Sequence, residues 1–144
     1  MSKLFSLTLL AILCYVAFTH FTDKDAHKLY KLLSKARSTH DLRQVLREPL
    51  ISVDCSGNST TLNGPEFENT LNAIILGKRP ERGLKIEEFN SIDNNGFEFR
   101  IAKIIEEESG TLTFDKATYF AAMENDTLKI WKGIMICDKS TGQF

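Results

Sequence analysis

The last sixty residues contain four predicted β-strands separated by turn sequences. Residues 84–92, 97–106, 111–123 and 127–136 are rich in β-branched and aromatic residues. The turn at Asn94-Asn95-Gly96 is a strong hairpin signal, and Gly, Asn, Asp and Ser also lie at the other two junctions. Because short turns join neighbouring antiparallel strands, this pattern predicts a meander.

One of these strands shows which face of the sheet is buried. Phe97, Phe99 and Ile101 alternate with Glu98 and Arg100. Successive side chains of a strand point to opposite faces, so this strand has one dry face and one wet face. A dry face needs a covering layer, and the helical sequence that precedes the strands can supply it.

The mature chain is predicted to begin with an amphipathic helix. Thr22 and Asp25 form a capping box, which is followed by apolar residues at helical spacing. The pattern predicts an amphipathic helix of about fifteen residues, whose buried face comprises Ala26, Leu29, Tyr30, Leu33 and Ala36.

Three further elements are predicted before the meander. Ser38 opens a second, shorter helix with an apolar stripe that stops before Pro49. Residues 50–62 alternate with period two around a turn, which predicts a small hairpin. A third helix begins with Pro65 at its first position and ends at Gly77.

The N-terminus has the pattern of a secretory signal peptide. Lys3 precedes an apolar run over residues 4–18. The run is shorter than the ~20 residues of a spanning helix, and polar residues follow from His20, so a retained membrane anchor is the weaker interpretation. We expect residues 1–19 to be removed and residues 20–144 to form one secreted domain with no stable membrane anchor.

The charge balance argues against nucleic acid as a partner. The formal net charge is −1, and because Lys3 is the only charged residue of the leader, the mature chain carries −2. Nucleic-acid binding requires a basic footprint that this chain lacks.

Two cysteines remain after leader removal, Cys55 and Cys137. An even number in an exported chain predicts a disulfide, the alternative being two unpaired thiols. The cysteines and the three histidines lack metal-ligand spacing, so we expect no metal and no cofactor. Sequons at Asn58 and Asn125 lie in predicted turns and are glycosylation candidates.

The order of elements resembles the nuclear transport factor 2-like superfamily, which has a cystatin-like fold. The most specific local resemblance is the strand, turn, strand and helix start that runs from LISV at 50–53 to LNGPEF at 62–67. The chain is also similar to small secreted members that are numerous in nematodes. The resemblance implies an α+β cone, in which about three N-terminal helices pack on a strongly curved antiparallel sheet of five to six strands around an apolar cavity.

The superfamily contains both enzymes and binding domains, so membership alone leaves the activity open. Ketosteroid isomerase, scytalone dehydratase and polyketide cyclases belong to it, and so do transport adaptors without catalysis. We expect a non-enzymatic domain that binds a small apolar ligand or a protein partner, because no catalytic motif is visible.

Two alternatives remain open at the level of sequence. An isomerase or dehydratase would use Tyr30, on the apolar face of the first helix, with Asp54 or Lys132. Lys132 lies in phase with apolar residues of the last strand, unless snorkelling or a bulge turns it outward.

The second alternative is a homodimeric association module that pairs through a sheet face. Exposure of Tyr119, Trp131 and Met135 on one face of the sheet would favour this interpretation.

Overall fold

The computed structural model describes residues 20–137, so the predicted signal peptide lies outside the described residues. No helix in that range is long and apolar enough to cross a lipid bilayer. In chain order the elements are α1 (Asp23–Lys35), α2 (Thr39–Arg43), β1 (Leu46–Val53), β2 (Ser59–Leu62), α3 (Gly64–Leu76), β3 (Glu81–Asp93), β4 (Gly96–Glu106), β5 (Leu112–Glu124) and β6 (Thr127–Ile136).

The six strands form one curved, unclosed sheet in the order β2-β1-β6-β5-β4-β3. The predicted meander from β3 to β6 is confirmed, since each of these strands pairs with the next in antiparallel fashion. The α+β fold class is confirmed as well. The sheet is mixed, however, because β1 and β6 run parallel. This pair joins the two ends of the domain, where hairpin signals give no information about strand direction.

The two predicted helix caps are present. At the start of α1 the Thr22 N–H donates to the Asp25 carboxylate over 2.8 Å. At the start of α2 the Asp41 N–H donates to Ser38 Oγ over 3.1 Å. In each cap a backbone N–H at the start of the helix donates to a side-chain oxygen, because the helix itself supplies no acceptor there.

The second helix is shorter than predicted, since its expected apolar stripe over Leu42, Val45 and Leu46 is helical only in its first part. The helix α2 ends at Arg43, and β1 already begins at Leu46, four residues before the predicted strand. The Val45 carbonyl accepts the N–H of Ile130 over 2.8 Å, and Leu46 is the register partner of Ile130. Pairing with β6 therefore overrides the helical pattern. Pro49 lies where the β1–β6 register shifts, which suits a residue with no N–H to donate.

The disulfide between Cys55 and Cys137 is confirmed in the structure, with Cα atoms 5.3 Å apart and 82 positions of sequence between the two residues. The parallel pairing explains this contact. Val53 and Ile134 are register partners near the ends of β1 and β6. Because both strands run in the same direction, the residues that follow them reach the same end of the sheet.

Candidate ligand cavity

A cavity of about 790 Å³ lies between the concave face of the sheet and the helices α1 and α3. Most of its wall is aliphatic, and residues from α3, β1, β2 and β6 contribute to it. The apolar residues of the wall include Leu46, Leu50, Leu62, Ile74, Ile130 and Met135. The interior of the cone is therefore open at this end rather than filled by side chains.

Polar side chains gather at one end of the cavity around Glu81, the first residue of β3. Tyr30 and Ser34 lie one turn apart on α1 and face this carboxylate. The Tyr30 hydroxyl donates to Glu81 Oε1 over 2.7 Å, and Ser34 Oγ donates to Oε2 over 3.1 Å. Both carboxylate oxygens of Glu81 are thus engaged by α1.

Lys103 lies between two carboxylates at the same end of the cavity. Its Nζ is 3.7 Å from Glu81 Oε1 and 3.8 Å from Asp115 Oδ2. Lys103 and Asp115 are register partners across β4 and β5, so the sheet itself brings them together. Both distances exceed that of a hydrogen bond. The ammonium is therefore held by charge, while its N–H donors stay open to a further acceptor.

Tyr119 on β5 lies at the same end of the cavity as Tyr30 and carries a second tyrosine hydroxyl. Its ring packs against Phe99 at 5.6 Å and against Tyr30 at 6.4 Å between centroids. Gly133 is its register partner on β6, and a Cβ at that position would lie only 3.4 Å from the ring. The absent side chain leaves room for the tyrosine. Within residues 20–137 the Tyr119 hydroxyl makes no hydrogen bond.

The two tyrosines are held as neutral hydroxyls. Burial, with the nearby charges of Asp115 and Glu81, raises the pKa of Tyr119 to about 12. Burial, and then the hydrogen bond to Glu81, raises the pKa of Tyr30 still further. Desolvation disfavours the charged phenolate in both cases. At physiological pH both groups can therefore donate hydrogen bonds.

Lys78 ties the rim of the cavity to the end of α1. Its Nζ donates to the carbonyl oxygens of Leu33 and Ser34 over 2.9 and 2.7 Å. A cation suits the negative end of a helix dipole. Burial is the main cause that lowers the pKa of Lys78. The contact fixes the last turn of α1, which carries Ser34, against the segment that leads into β3.

No family model matches the chain, and no curated protein matches it. Solved structures do. A nuclear transport factor 2-like protein from Cytophaga hutchinsonii is 16% identical with a TM-score of 0.59, covering 82% of this chain and 100% of that one. A similar protein of unknown function from Shewanella oneidensis is 15% identical with a TM-score of 0.61, covering 80% and 98%. A domain of unknown function with a cystatin-like fold from Nostoc punctiforme is 9% identical with a TM-score of 0.63, covering 83% and 78%.

The chain has the nuclear transport factor 2-like fold. At such low identities the matches concern the fold alone. The likeness to secreted nematode proteins stays a prediction.

The three candidate residues named from the sequence do not come together in this fold. Tyr30 lines the cavity. Asp54 lies in the exposed turn between β1 and β2, where its Oδ1 accepts the N–H groups of Ser56 and Asn58 over 2.9 and 3.0 Å. An aspartate that binds its own turn in this way is a local structural element.

Lys132 lies on the convex face of the sheet because β6 contains a bulge. Phe120 pairs with Lys132, whereas the next residue of β5, Ala121, pairs with Ile130, which leaves Trp131 as the extra residue. A bulge shifts the alternation of all later side chains. Lys132 Nζ consequently lies 5.2 Å from the centroid of the Phe120 ring and is not buried among the apolar residues of the strand.

The residues named for a dimer face are also separated. Tyr119 and Met135 line the cavity on the concave side. Trp131 packs against Phe120 at 5.6 Å between ring centroids, on the side of the sheet that carries Lys132. The three residues therefore do not form one exposed patch, and dimerisation through this face stays a prediction.

Ser34, Glu81, Lys103 and Asp115 were not identified from the sequence. A signal for Lys103 was available, because it continues the inward series of Phe97, Phe99 and Ile101 on β4. Glu81 gave no such signal, since it precedes the predicted start of its strand. Its role depends on α1, which lies far away along the chain.

The remaining site predictions fall on the surface. Asn58 and Asn125 are exposed in turns, and glycosylation at either residue stays a prediction. Among residues 20–137 no group of three or more His, Cys, Asp or Glu side chains is arranged to hold a metal ion.

Proposed function

We propose that this protein is a secreted, non-enzymatic carrier that binds a small, uncharged, largely apolar molecule inside the cone. One observation carries the proposal: an open cavity with aliphatic walls ends in donors, Lys103 and Tyr119, that no acceptor of residues 20–137 fully engages.

The dimensions of the cavity support a small-molecule ligand. Its volume of about 790 Å³ falls within the roughly 300–1,000 Å³ of typical ligand sites, which combine apolar walls with a few convergent polar groups. Transfer of apolar ligand surface from water into these walls supplies about 25 cal/mol per Å². The aliphatic part of the cavity would thus provide affinity, and the polar end would provide orientation.

The charges at the polar end favour an uncharged acceptor on the ligand. A carboxylate on the ligand would approach the Lys103 ammonium together with Glu81 and Asp115, so two repulsive charges would oppose one attractive charge. The other cations of the lining, Lys78 and Arg79, are already engaged by the end of α1 and by Glu107. An added amine would compete with Lys103, whose ammonium already lies between those carboxylates. A carbonyl or ether oxygen meets neither obstacle and can accept from Lys103 Nζ or the Tyr119 hydroxyl.

Binding has more support than catalysis. Tyr30, Asp54 and Lys132 do not converge. Of the two carboxylates of residues 20–137 that line the cavity, Glu81 has both oxygens engaged by hydroxyl donors, and Asp115 lies 3.8 Å from the Lys103 ammonium. A general base needs an oxygen within reach of the proton that it removes. A substrate would first have to displace Tyr30 or Ser34 from Glu81.

Secretion is supported by the leader sequence and by the disulfide. The bond between Cys55 and Cys137 belongs to a class of cross-link that persists in oxidising compartments and is rare in the cytosol. A carrier outside the cell would then hold an apolar molecule away from water.

Native mass spectrometry of the protein from a secreting eukaryotic host, before and after organic extraction, tests the proposal. We expect an adduct that extraction removes, and binding of the uncharged dye Nile red by the extracted protein. The same spectrum reports leader removal and glycan mass.

Two matched variants locate the binding. Ser52 lines the cavity, whereas Thr60, its register partner on β2, does not. Ser52→Phe should narrow the cavity and weaken Nile red binding, and Thr60→Phe should leave the binding intact. An adduct-free mass together with equal dye binding by the wild type and both variants would overturn the proposal.

A further inference from the structure

The exposed side of α1 carries a row of three lysines, which we name the α1 lysine face: Lys28, Lys31 and Lys35. Their spacing of three and four residues places them on one side of the helix, and all three are exposed. The ion pairs within residues 20–137 use other cations, among them Arg43, Arg79 and Lys103, and none of the three lysines takes part. This face therefore presents uncompensated positive charge on a chain whose net charge is negative.

The α1 lysine face borders a groove of about 520 Å³ on the outside of the cone. All three lysines line the groove, together with His27 of the same helix and Leu84 of β3. Within the described range 20–137, the single carboxylate that lines it is Glu81, whose oxygens accept from Tyr30 and Ser34. An anionic group in this groove would meet three ammonium groups and one carboxylate that is already hydrogen-bonded.

Two exposed leucines accompany these cations. Leu32 lies one turn from Lys28 on α1 and is 53% exposed, and Leu84 in the groove is 39% exposed. A sulfated sugar chain would gain little from such residues. A bilayer offers both chemistries at once, since anionic headgroups attract lysines and the acyl boundary accepts leucines, beside which lysine stems can lie.

The groove also adjoins the ligand cavity. Tyr30, Ser34 and Glu81 line both, so this cluster alone forms a shared wall between them. If the groove lay against a membrane, the polar end of the cavity would therefore lie close to the lipid.

We propose that the α1 lysine face docks the protein reversibly on anionic lipid bilayers, with Leu32 and Leu84 entering the headgroup region. Docking does not depend on the proposed cavity ligand, and the two activities are measured separately. Each lysine near an anionic surface contributes about fivefold to the binding constant, so the three contribute about 100-fold together.

The test is co-sedimentation of the full secreted chain with vesicles. We expect binding to phosphatidylcholine vesicles that contain phosphatidylserine and not to phosphatidylcholine alone, with a decline as added salt shortens the Debye length. The triple variant K28Q/K31Q/K35Q should lose about 100-fold in affinity. The control K85Q/K129Q/K132Q removes the same charge from β3 and β6 and should bind as the wild type does. Circular dichroism checks that both variants fold.

A fourth variant separates a lipid surface from a soluble polyanion. Leu32→Ser should weaken vesicle binding by about tenfold and leave any binding to heparin unchanged. Equal losses in the two triple variants, equal binding to neutral and anionic vesicles, or binding to heparin with none to vesicles would each overturn the proposal. Nile red binding in solution is unaffected by these outcomes, so a failure of docking does not count against the carrier function.

Discussion

The concave face of the sheet has two ends that differ in what occupies them. At one end the rings of Phe21, Phe89 and Phe99 surround Phe97, with centroids 5.2, 5.2 and 5.8 Å away. We call this cluster of four the aromatic end. At the other end Tyr30, Ser34, Glu81, Lys103, Asp115 and Tyr119 border an open cavity and form the polar end.

The inward residues of β4 run through both ends, from Phe97 and Phe99 to Lys103. Phe97 and Phe99 are at most 1% exposed, whereas the side chain of Lys103 is 20% exposed. In the closely packed aromatic end, each buried methylene contributes to the stability of the fold. The same curved strand in the polar end leaves volume unfilled. If the proposed function is right, stability and ligand binding depend on opposite ends of one strand, and substitutions should separate the two properties.

The largest expected effect is on the aromatic end. Phe97→Ala removes a fully buried ring and should lower the free energy of unfolding by about 3–5 kcal/mol. Urea denaturation measures this loss. Leu112→Ala, at a side chain that is 53% exposed on β5, is the control and should cost under about 1 kcal/mol. If the two variants were equally stable, the aromatic end would not be the main source of stability.

The disulfide stabilises the side of the domain that holds the cavity, since Ser52 and Ile134 near the ends of β1 and β6 line the cavity wall. The double variant C55S/C137S should lose about 2–4 kcal/mol of stability. Hydrogen exchange should accelerate more for amides of the β1–β6 pair than for those of β4. Uniform acceleration over the whole sheet would contradict this localisation.

Alkaline pH should lower the free energy of unfolding because Tyr119, at the polar end, ionises more readily in the unfolded chain than in the folded one. Its pKa is about 10 in the unfolded chain and about 12 in the folded one. Above pH 10 the unfolded state therefore loses a proton that the folded state keeps. Stability should be intact below about pH 10 and fall by about 2–3 kcal/mol as the pH approaches 12.

The control for this titration is Tyr119→Phe, which has no hydroxyl to ionise. Tyr30 is retained in both proteins, so its own titration cancels in the comparison. Chemical denaturation at a series of pH values would show a shallower alkaline slope for the variant. Identical slopes would exclude Tyr119 as a source of the pH dependence.

Ligand affinity should depend on Lys103 more than stability does. Lys103→Met removes the ammonium at the polar end and should weaken Nile red binding by about tenfold, the value of one charge-assisted hydrogen bond. Stability should change by only about 0–1 kcal/mol, because these ion pairs are partly exposed to water. Lys116→Met, which removes an ammonium paired with Glu87, should leave dye affinity unchanged. If Lys103→Met bound the dye with unchanged affinity, a residue other than Lys103 would make the polar contact.

The smallest effect is expected on the convex face. Lys132→Met removes a cation from the Phe120 ring and should cost about 0.5–1 kcal/mol of stability with no change in dye binding. Lys129→Met, three residues earlier on β6, is the comparison variant. A loss of dye binding in Lys132→Met would restore Lys132 as a candidate for the cavity chemistry.

Much of the architecture could be predicted because its signals are local. Thr22 and Ser38 mark helix starts, and the turn Asn94-Asn95 joins β3 to β4 at the expected place. Local signals failed where a distant strand intervened. Residues Val45 and Leu46 have helical spacing, but their contacts with Ile130 on β6 place them in extended structure.

The candidate site was predicted less well than the fold. Tyr30 was predicted on the apolar face of the first helix, because that face is visible in the sequence spacing, and the residue lines the cavity. A catalytic role for Tyr30 stays a prediction. Lys132 illustrates the opposite case. Its position depended on a bulge at Trp131, and a single extra residue in a strand reverses the facing of every side chain that follows.

The helix caps, the turns and the alternation of β4 could be predicted from the sequence, since each depends on residues that are close along the chain. The parallel direction of β1 and β6 and the contact of Glu81 with Tyr30 were not predictable from these patterns. The cysteine count predicted the bridge between Cys55 and Cys137, and the parallel pairing explains how the two residues meet. These contacts join segments separated by more than fifty residues. Their formation depends on how a curved sheet closes over a helix, which residue spacing along the chain does not encode.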